Sequence, residues 1–306
     1  MVYDIVIIGS GPAGLTAAIY ASRAQKSVLV IEKEAFGGMI THSPKVENYP
    51  GFNSISGLEL ADKFVAQAMD LNVSFEFENV LEIIKDEDTF KVKCEGHLYE
   101  GKSVIIATGS KHRELKLEKE KELTGHGISY CAVCDGPFYA NKDVAIIGGG
   151  NSAMQEAILL SSYCKSVTMI QNLPYFTGEK ALADKIAKTD NIKVIFNKLV
   201  VALNGDKSLE SIILKDQTTG LLEQFNIESV FVAIGQEPNN SMFKNLCSLD
   251  EQGFIVTDDM CCTNVEGVYV AGDCRQKRIR QIVTASSDGS IAALQAIKYL
   301  DSKGQW

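Results

Sequence analysis

Apolar residues in this chain come in short β-branched runs separated by Ala-rich stretches, the pattern of strands alternating with helices. Val2 to Ile8 is one such run; it ends in Gly9-Ser10-Gly11-Pro12-Ala13-Gly14, and Leu15 to Ala24 follows with helical composition. A strand is predicted next over Ser27 to Ile31, closed by Glu32. The same order returns downstream, with Val144 to Ile147, then Gly148-Gly149-Gly150-Asn151-Ser152-Ala153, a helix over Met154 to Ser162 and a strand over Ser166 to Ile170. The two stretches superimpose without a gap at an offset of 139, pairing Gly9 with Gly148, Gly14 with Ala153, Ser27 with Ser166 and Glu32 with Gln171. A buried strand ending in glycine also occurs twice, at Ser103 to Gly109 and Ser229 to Gly235, with an offset of 126.

A single glycine loop is weak evidence for a nucleotide site, but two in one register, each between a strand and a helix, are strong. Strand-like alternation over Thr89 to Cys94 and Ser211 to Lys215 occupies the interval before each closing strand. The expected fold is α/β, with two Rossmann-like nucleotide-binding domains of the three-layer ββα type. Gly267 to Asp273 and a helix over Ser286 to Leu300 carry no glycine loop of their own, and are expected to complete the first domain. That domain is then discontinuous, 1–114 with 245–306, around a central redox domain 115–244. Linkers near Arg113 to Leu117 and Gln236 to Asn245 would form a two-stranded hinge.

Composition narrows the function. The 306 residues are 45% hydrophobic and 23% charged, which excludes disorder, and a net charge of -9 argues against nucleic acid, whose phosphates call for a basic footprint. Eight cysteines are too dilute for a secreted disulfide scaffold, and no basic and apolar leader precedes the fold, so a cytoplasmic location is expected. No apolar run reaches the roughly 18 residues that span a bilayer. Lys116 to Glu122 alternates in sign and reads as an exposed face.

The glycines of the first loop let backbone N–H groups approach a pyrophosphate at a helix N-terminus, where the dipole favours negative charge. Glu32, with Lys33 beside it, is placed to accept hydrogen bonds from an unphosphorylated ribose. FAD and NAD both meet these terms. Between the two loops lies Cys131-Ala132-Val133-Cys134-Asp135, whose thiols can close a small disulfide ring beside a carboxylate that can manage protons. Zinc competes for such a pair, yet Cys261-Cys262 has the wrong spacing for a second ligand pair and no His pair lies near, so no metal is expected. A purely structural pair of thiols is the other alternative. Cys94, Cys164, Cys247, Cys261, Cys262 and Cys274 read as small buried apolar residues.

Over nearly its whole length the chain resembles the low-molecular-weight thioredoxin reductases. The resemblance rests on the first glycine loop, Gly37-Gly38, Glu47-Asn48-Tyr49-Pro50-Gly51, Ala107-Thr108-Gly109, Cys131-Ala132-Val133-Cys134-Asp135-Gly136, Ala271-Gly272-Asp273 and Arg280-Gln281-Ile282. It implies an FAD domain built from both chain ends, a central domain with the disulfide, a homodimer, and domains that rotate to present the cysteines alternately to flavin and to thioredoxin. It further implies that Gly9, Ser10, Gly11, Pro12, Ala13, Gly14, Glu32, Lys33, Ala107, Thr108 and Gly109 bind FAD. Gly272 and Asp273 would hold its ribityl-pyrophosphate part. Gly38, Met39, Ile40, Thr41, Asn48, Arg280, Gln281 and Ile282 would lie by the isoalloxazine ring. Met39 stands where the family usually has glutamine, and for Met39 and Ile40 core packing is as good a reading as flavin contact. Cys131 would attack the partner disulfide, Cys134 face the flavin, and Asp135 act as general acid.

NADPH-using relatives follow the second strand with a His-Arg-Arg segment and a further Arg that clamp the 2′-phosphate. Here the stretch is Gln171-Asn172-Leu173-Pro174-Tyr175-Phe176-Thr177-Gly178, with no cation. Each lost charge-assisted bond is worth about 1.5–3 kcal/mol, so several together lower NADPH affinity by orders of magnitude. NADH is no better served, because neutral Gln171 stands where Glu32 stands in the first domain. The pattern resembles the ferredoxin-dependent flavin thioredoxin reductases. A donor near about -400 mV and a thioredoxin near about -270 mV leave about 6 kcal/mol for two electrons. An acidic ferredoxin needs a positive dock, for which Arg275, Lys277, Arg278 and Arg280 are the candidates. Trp306 is either a frayed tail or an indole able to stack on a flavin. The alternatives are an NADPH-dependent thioredoxin reductase with an atypical clamp and a non-catalytic flavin/disulfide sensor.

Overall fold

A computed structural model describes residues 1–43 and 45–303; Trp306 lies outside them. The chain divides into two compact units, one of Met1–Lys111 with Glu237–Trp306 and one of His112–Gln236. The strands on which the chain passes from one to the other, Ser110–His112 and Gln236–Pro238, pair with each other; the first ends just before the expected linker near Arg113 to Leu117 and the second opens the one near Gln236 to Asn245.

In the first unit the strands Ser74–Phe77, Val28–Glu32, Val2–Ile8 and Leu98–Ile106 lie side by side in a parallel sheet. Leu98–Ile106 serves two partners along its length. Its far end takes Val268–Val270 in parallel, and its near end pairs antiparallel with Thr89–Cys94, which in turn pairs with Val80–Asp86. On the other face the helices Pro12–Arg23 and Ile282–Lys303 cross closely enough that a Cβ at Gly289 would lie 2.1 Å from the Ala13 carbonyl oxygen. The three layers of sheet, antiparallel meander and helices are those expected. Burial on both faces explains the uninterrupted apolar runs: Ile5, Ile7 and Val30 pack toward the helices, while Val6, Leu29 and Ile31 pack with Phe90 and Val92 of the meander.

The second unit repeats the plan. Ile192–Ile195, Ser166–Ile170, Asp143–Ile147, Val230–Val232 and Ile128–Ser129 form a parallel sheet, beside an antiparallel group of Lys198–Gly205, Leu209–Asp216 and Leu222–Asn226. The repeat holds at the level of register. Ile5 faces Val28 as Val144 faces Val167, and Val6 faces Val104 as Ala145 faces Val230.

The exposed face expected over Lys116 to Glu122 holds for its charged residues with one exception. Glu120 belongs to the alternating stretch Lys116 to Glu122 but is only 2% exposed. It accepts the N–H groups of Leu115, Lys116 and Leu117 and the Tyr130 hydroxyl, so its charge is satisfied inside the fold.

Candidate functional site

The first glycine loop closes tightly because Gly9 (φ +103°) runs against the next strand, where a Cβ would lie 2.3 Å from the Ala107 carbonyl oxygen. Gly148 (φ +135°) stands in the same relation to Ala233, at 2.4 Å. Gly11 caps the helix Pro12–Arg23 and has no other atom within 4 Å of where a Cβ would stand, which leaves the helix N-terminus open to an anion. Glu32 Oε2 accepts both the N–H and the hydroxyl of Ser10, and Oε1 accepts the N–H groups of Lys33 and Glu34.

The other candidates of this unit gather around that loop. Gly37 N–H donates to the Ser10 carbonyl, Gly38 packs on Gly11, and the Thr41 hydroxyl donates to the Gly38 carbonyl. The Asn48 amide donates to Gln281 Oε1 at 3.1 Å, joining segments 233 positions apart. Ile282 packs with Ile40 in a small apolar cluster, whereas Met39 is 46% exposed. The Thr108 hydroxyl donates to Asn240, and Gly272 packs on Ala13. Arg280 lies 4.1 Å from the Phe254 ring, with its Nε donating to the Asp273 carbonyl. Asp273 Oδ1 is buried with no hydrogen-bond partner among the described residues, and burial pushes that carboxyl up to about 6 against the opposing pull of Lys277 and Arg280.

In the second unit Cys131 and Cys134 form a disulfide with their Cα atoms 5.3 Å apart, at the start of the short helix Ala132–Asp135. Cys134 N–H donates to Cys131 Sγ at 3.2 Å. Ser129, on the strand before the pair, accepts the Cys131 N–H at 3.1 Å and donates its hydroxyl to Asp135 Oδ2 at 2.6 Å. Burial raises the Asp135 carboxyl and the Ser129 hydroxyl partly offsets this, so the acid keeps its proton to higher pH than a surface aspartate.

These features match known proteins along their full length. The chain fits the pyridine nucleotide-disulphide oxidoreductase family over residues 3–289. It is 45% identical over 306 residues to the thioredoxin reductase of Ureaplasma parvum, covering 100% of this chain and 99% of that one. It is 42% identical over 301 residues to a 34.2 kDa protein in the rubredoxin operon of Clostridium pasteurianum, covering 98% of each. Among solved structures, the thioredoxin reductase of Streptococcus pyogenes superimposes with a TM-score of 0.94 at 40% identity, covering 98% of this chain and 99% of that one. The chain belongs to the low-molecular-weight thioredoxin reductase family. Thioredoxin reductases are FAD flavoproteins that reduce disulfides, and the residues of the first unit fit FAD. The open face at Gly11 admits a pyrophosphate, and the orphaned Asp273 oxygen calls for a hydroxyl donor such as a ribityl group supplies.

One expectation for this thioredoxin reductase changes and another gains detail. The proposed four-cation dock is not a surface patch: Arg275 is 8% exposed and bonds Asp288 Oδ1, while Lys277 bonds Asp288 Oδ2 at 2.8 Å. A buried carboxylate has drawn both cations inward, and Arg278 alone of the four is exposed. At the second glycine loop Gln171 is 4% exposed, its Nε2 donates to the Tyr175 carbonyl and its Oε1 accepts the Asn172 N–H. A Cβ at Gly149 would lie 2.4 Å from that amide, so Gln171 is packed on the loop with both polar groups engaged. The chain carries no Lys, Arg or His between Lys165 and Lys180.

Sequence reasoning missed Ser129, Asn240 and Asp288. Ser129 and Asn240 carry no motif signal. Asp288 had one: an aspartate on the buried face of an Ala- and Ser-rich helix, where it accepts Gly272 N–H at 3.1 Å.

Proposed function

We propose that this chain reduces the disulfide of thioredoxin through Cys131 and Cys134, with FAD held by the first unit and electrons delivered by reduced ferredoxin. The observation that carries the choice of donor is Gln171: a neutral, buried amide committed to its own loop, in a stretch without a cation, offers nothing to grip a 2′-phosphate. The Clostridium pasteurianum relative is named for a rubredoxin operon, which sets a one-electron iron protein beside that relative and agrees with a one-electron donor here.

When bound, FAD supplies the redox chemistry that joins a one-electron donor to a two-electron disulfide. The chain's own residues do the rest. Reduction leaves thiols at 131 and 134; the Cys131 thiolate, steadied by the Cys134 N–H, attacks one sulfur of the substrate disulfide and expels the other as thiolate. Cys134 then attacks Cys131 Sγ, which restores the ring and frees the second substrate sulfur. Asp135, held by Ser129 and with its carboxyl raised by burial, is placed to protonate a leaving thiolate. The same reading takes Gly9 to Gly14, Glu32, Asp273 and Arg280 as cofactor ligands and the working molecule as a homodimer, which sedimentation would test.

Anaerobic titration of the oxidised holoenzyme, followed by flavin absorbance, tests the donor. Reduced ferredoxin should bleach the flavin and lead to thiols in thioredoxin, whereas stoichiometric NADPH should not. Rapid bleaching by NADPH would restore the alternative reading, which the intact Gly148 to Ala153 loop favours. Cys131→Ser should abolish thioredoxin reduction while flavin reduction persists; full turnover in that variant would overturn the assigned role.

A further inference from the structure

The long helix Ile282–Lys303 touches both halves of the proposed FAD cradle with one face. Gly289 packs on Ala13 of the first glycine loop, and Ala285, a turn earlier, lies with Ala13 beside Gly272, where a Cβ would stand 3.8 Å and 2.8 Å from their methyl groups. Between these contacts sits Asp288, which is 7% exposed and turns its carboxylate to the same place. The Ala271 N–H still donates to the Ile106 carbonyl of the sheet, but the next one, that of Gly272, donates to Asp288 Oδ2 at 3.1 Å. The same carboxylate fastens the residues that follow. Oδ1 accepts Arg275 Nη1 at 3.0 Å, and Oδ2 accepts Lys277 Nζ at 2.8 Å.

We propose that Asp288 is a positioning residue for the cofactor: it holds the turn at Gly272 and Asp273 beside the glycine loop in the empty protein, so that FAD meets a cradle already formed. The inference rests on reading Gly272 and Asp273 as FAD ligands. The turn needs such a tie. Gly272 has φ +81° and its contact with Ala13 leaves no room for a side chain, so the residue with the widest backbone freedom has nothing of its own to pack. An acceptor delivered from another element restricts that freedom instead.

A counter-ion role alone does not account for this placement. Neutralising Arg275 and Lys277 requires an anion within reach of both, not one bonded to the N–H of Gly272. The cations are themselves fixed, Arg275 by the Thr257 hydroxyl and the Asp258 carbonyl, and Lys277 by the Thr284 hydroxyl. They aim the Asp288 carboxylate, and the carboxylate holds the turn. A binding-competent state that is populated only in part lowers apparent affinity by that fraction. The loss falls on association, because a molecule with the turn free has no complete cradle to offer, whereas the complex once formed is the same.

The test is FAD rebinding to the FAD-free full chain, followed by stopped-flow flavin fluorescence, together with amide exchange of Gly272 read by NMR. Wild type should protect the Gly272 N–H without FAD. Asp288→Ala should speed its exchange about tenfold or more while the Val270 amide is unchanged, and should slow FAD association about 10- to 100-fold at an unaltered dissociation rate. A residue that only supports the fold would lower stability in urea and leave both rates alone. Association at the wild-type rate therefore overturns the proposal, and so does a loss that appears in dissociation instead. Should Asp288→Ala fail to fold, the wild-type amide decides: protection in the FAD-free protein upholds the proposal, and exchange as fast as in an open loop overturns it. Asp273→Ala removes a contact and not the order of the turn, so its effect belongs in dissociation. If that variant changes neither rate, the cradle reading itself fails, and the inference with it.

Discussion

Asp273 shows at the scale of one residue how a fold prepares for a ligand it must bind. Its carboxyl is raised from 3.8 to about 6, with burial as the largest cause, and one oxygen has no donor among the described residues. A carboxyl raised in the folded state stabilises the fold fully below its unfolded pKa near 4, and that contribution is lost as pH rises through about 6. The FAD-free protein should therefore lose about 3 kcal/mol of stability in urea between pH 4 and pH 7 from this residue, and Asp273→Asn should flatten that decline. In the reading proposed above, FAD gives the same oxygen a donor in the holoenzyme. Asp273→Ala should weaken FAD binding by about 10- to 150-fold, the worth of one hydrogen bond to a charged group, as measured by flavin fluorescence on dilution. Unchanged FAD affinity would remove Asp273 from the cradle.

At the scale of elements, the two glycine loops are built alike but packed for different ends. A Cβ at Gly14 would lie 1.9 Å from the Gly9 carbonyl oxygen, whereas one at Gly11 would meet nothing within 4 Å. Gly14→Ala should thus disrupt the loop and cost about 1–3 kcal/mol in the FAD-free protein. Gly11→Ala should leave the stability of the FAD-free protein within about 0.5 kcal/mol and yet impair FAD binding, because the new methyl stands where the backbone must approach a pyrophosphate. Equal loss of stability in both variants would refute the distinction. This level of structure was also the most legible in the chain. The offsets 139 and 126 carry strand register as well as sequence, since Ile5–Val28 and Val144–Val167 are equivalent pairs, and so are Val6–Val104 and Ala145–Val230. Apolar periodicity is a property of neighbours along the chain, so it survives in one dimension. The fate of Glu120, Arg275 and Lys277 is not such a property. Each looks solvated in sequence and is drawn inward by partners such as Tyr130 or Asp288, which only the folded chain brings together. Gln171 lies between these cases: its neutrality was readable, but its commitment to the Tyr175 carbonyl was not.

For the whole molecule, the division of the apolar core sets how the protein unfolds. Each hydrophobic cluster among the described residues falls within one unit: those around Ile5, Val6 and Ile40 in the first, those around Leu123 and Ala132 in the second. The second unit is also continuous in sequence, His112–Gln236, and holds its disulfide and the Asp135 carboxylate beside it without help from the chain ends. The FAD-free protein should then melt in two transitions rather than one. FAD binds only the first unit in this reading, so at 100 times its Kd it should stabilise that unit alone by about 2.7 kcal/mol and raise its transition by about 5–10 °C. A fragment of residues 112–236 should melt at the position of the unmoved transition and keep the Cys131–Cys134 disulfide. If calorimetry finds a single transition that FAD shifts as a whole, the two cores are energetically one. The bond that closes the cysteine ring would then be coupled to cofactor binding through the fold itself.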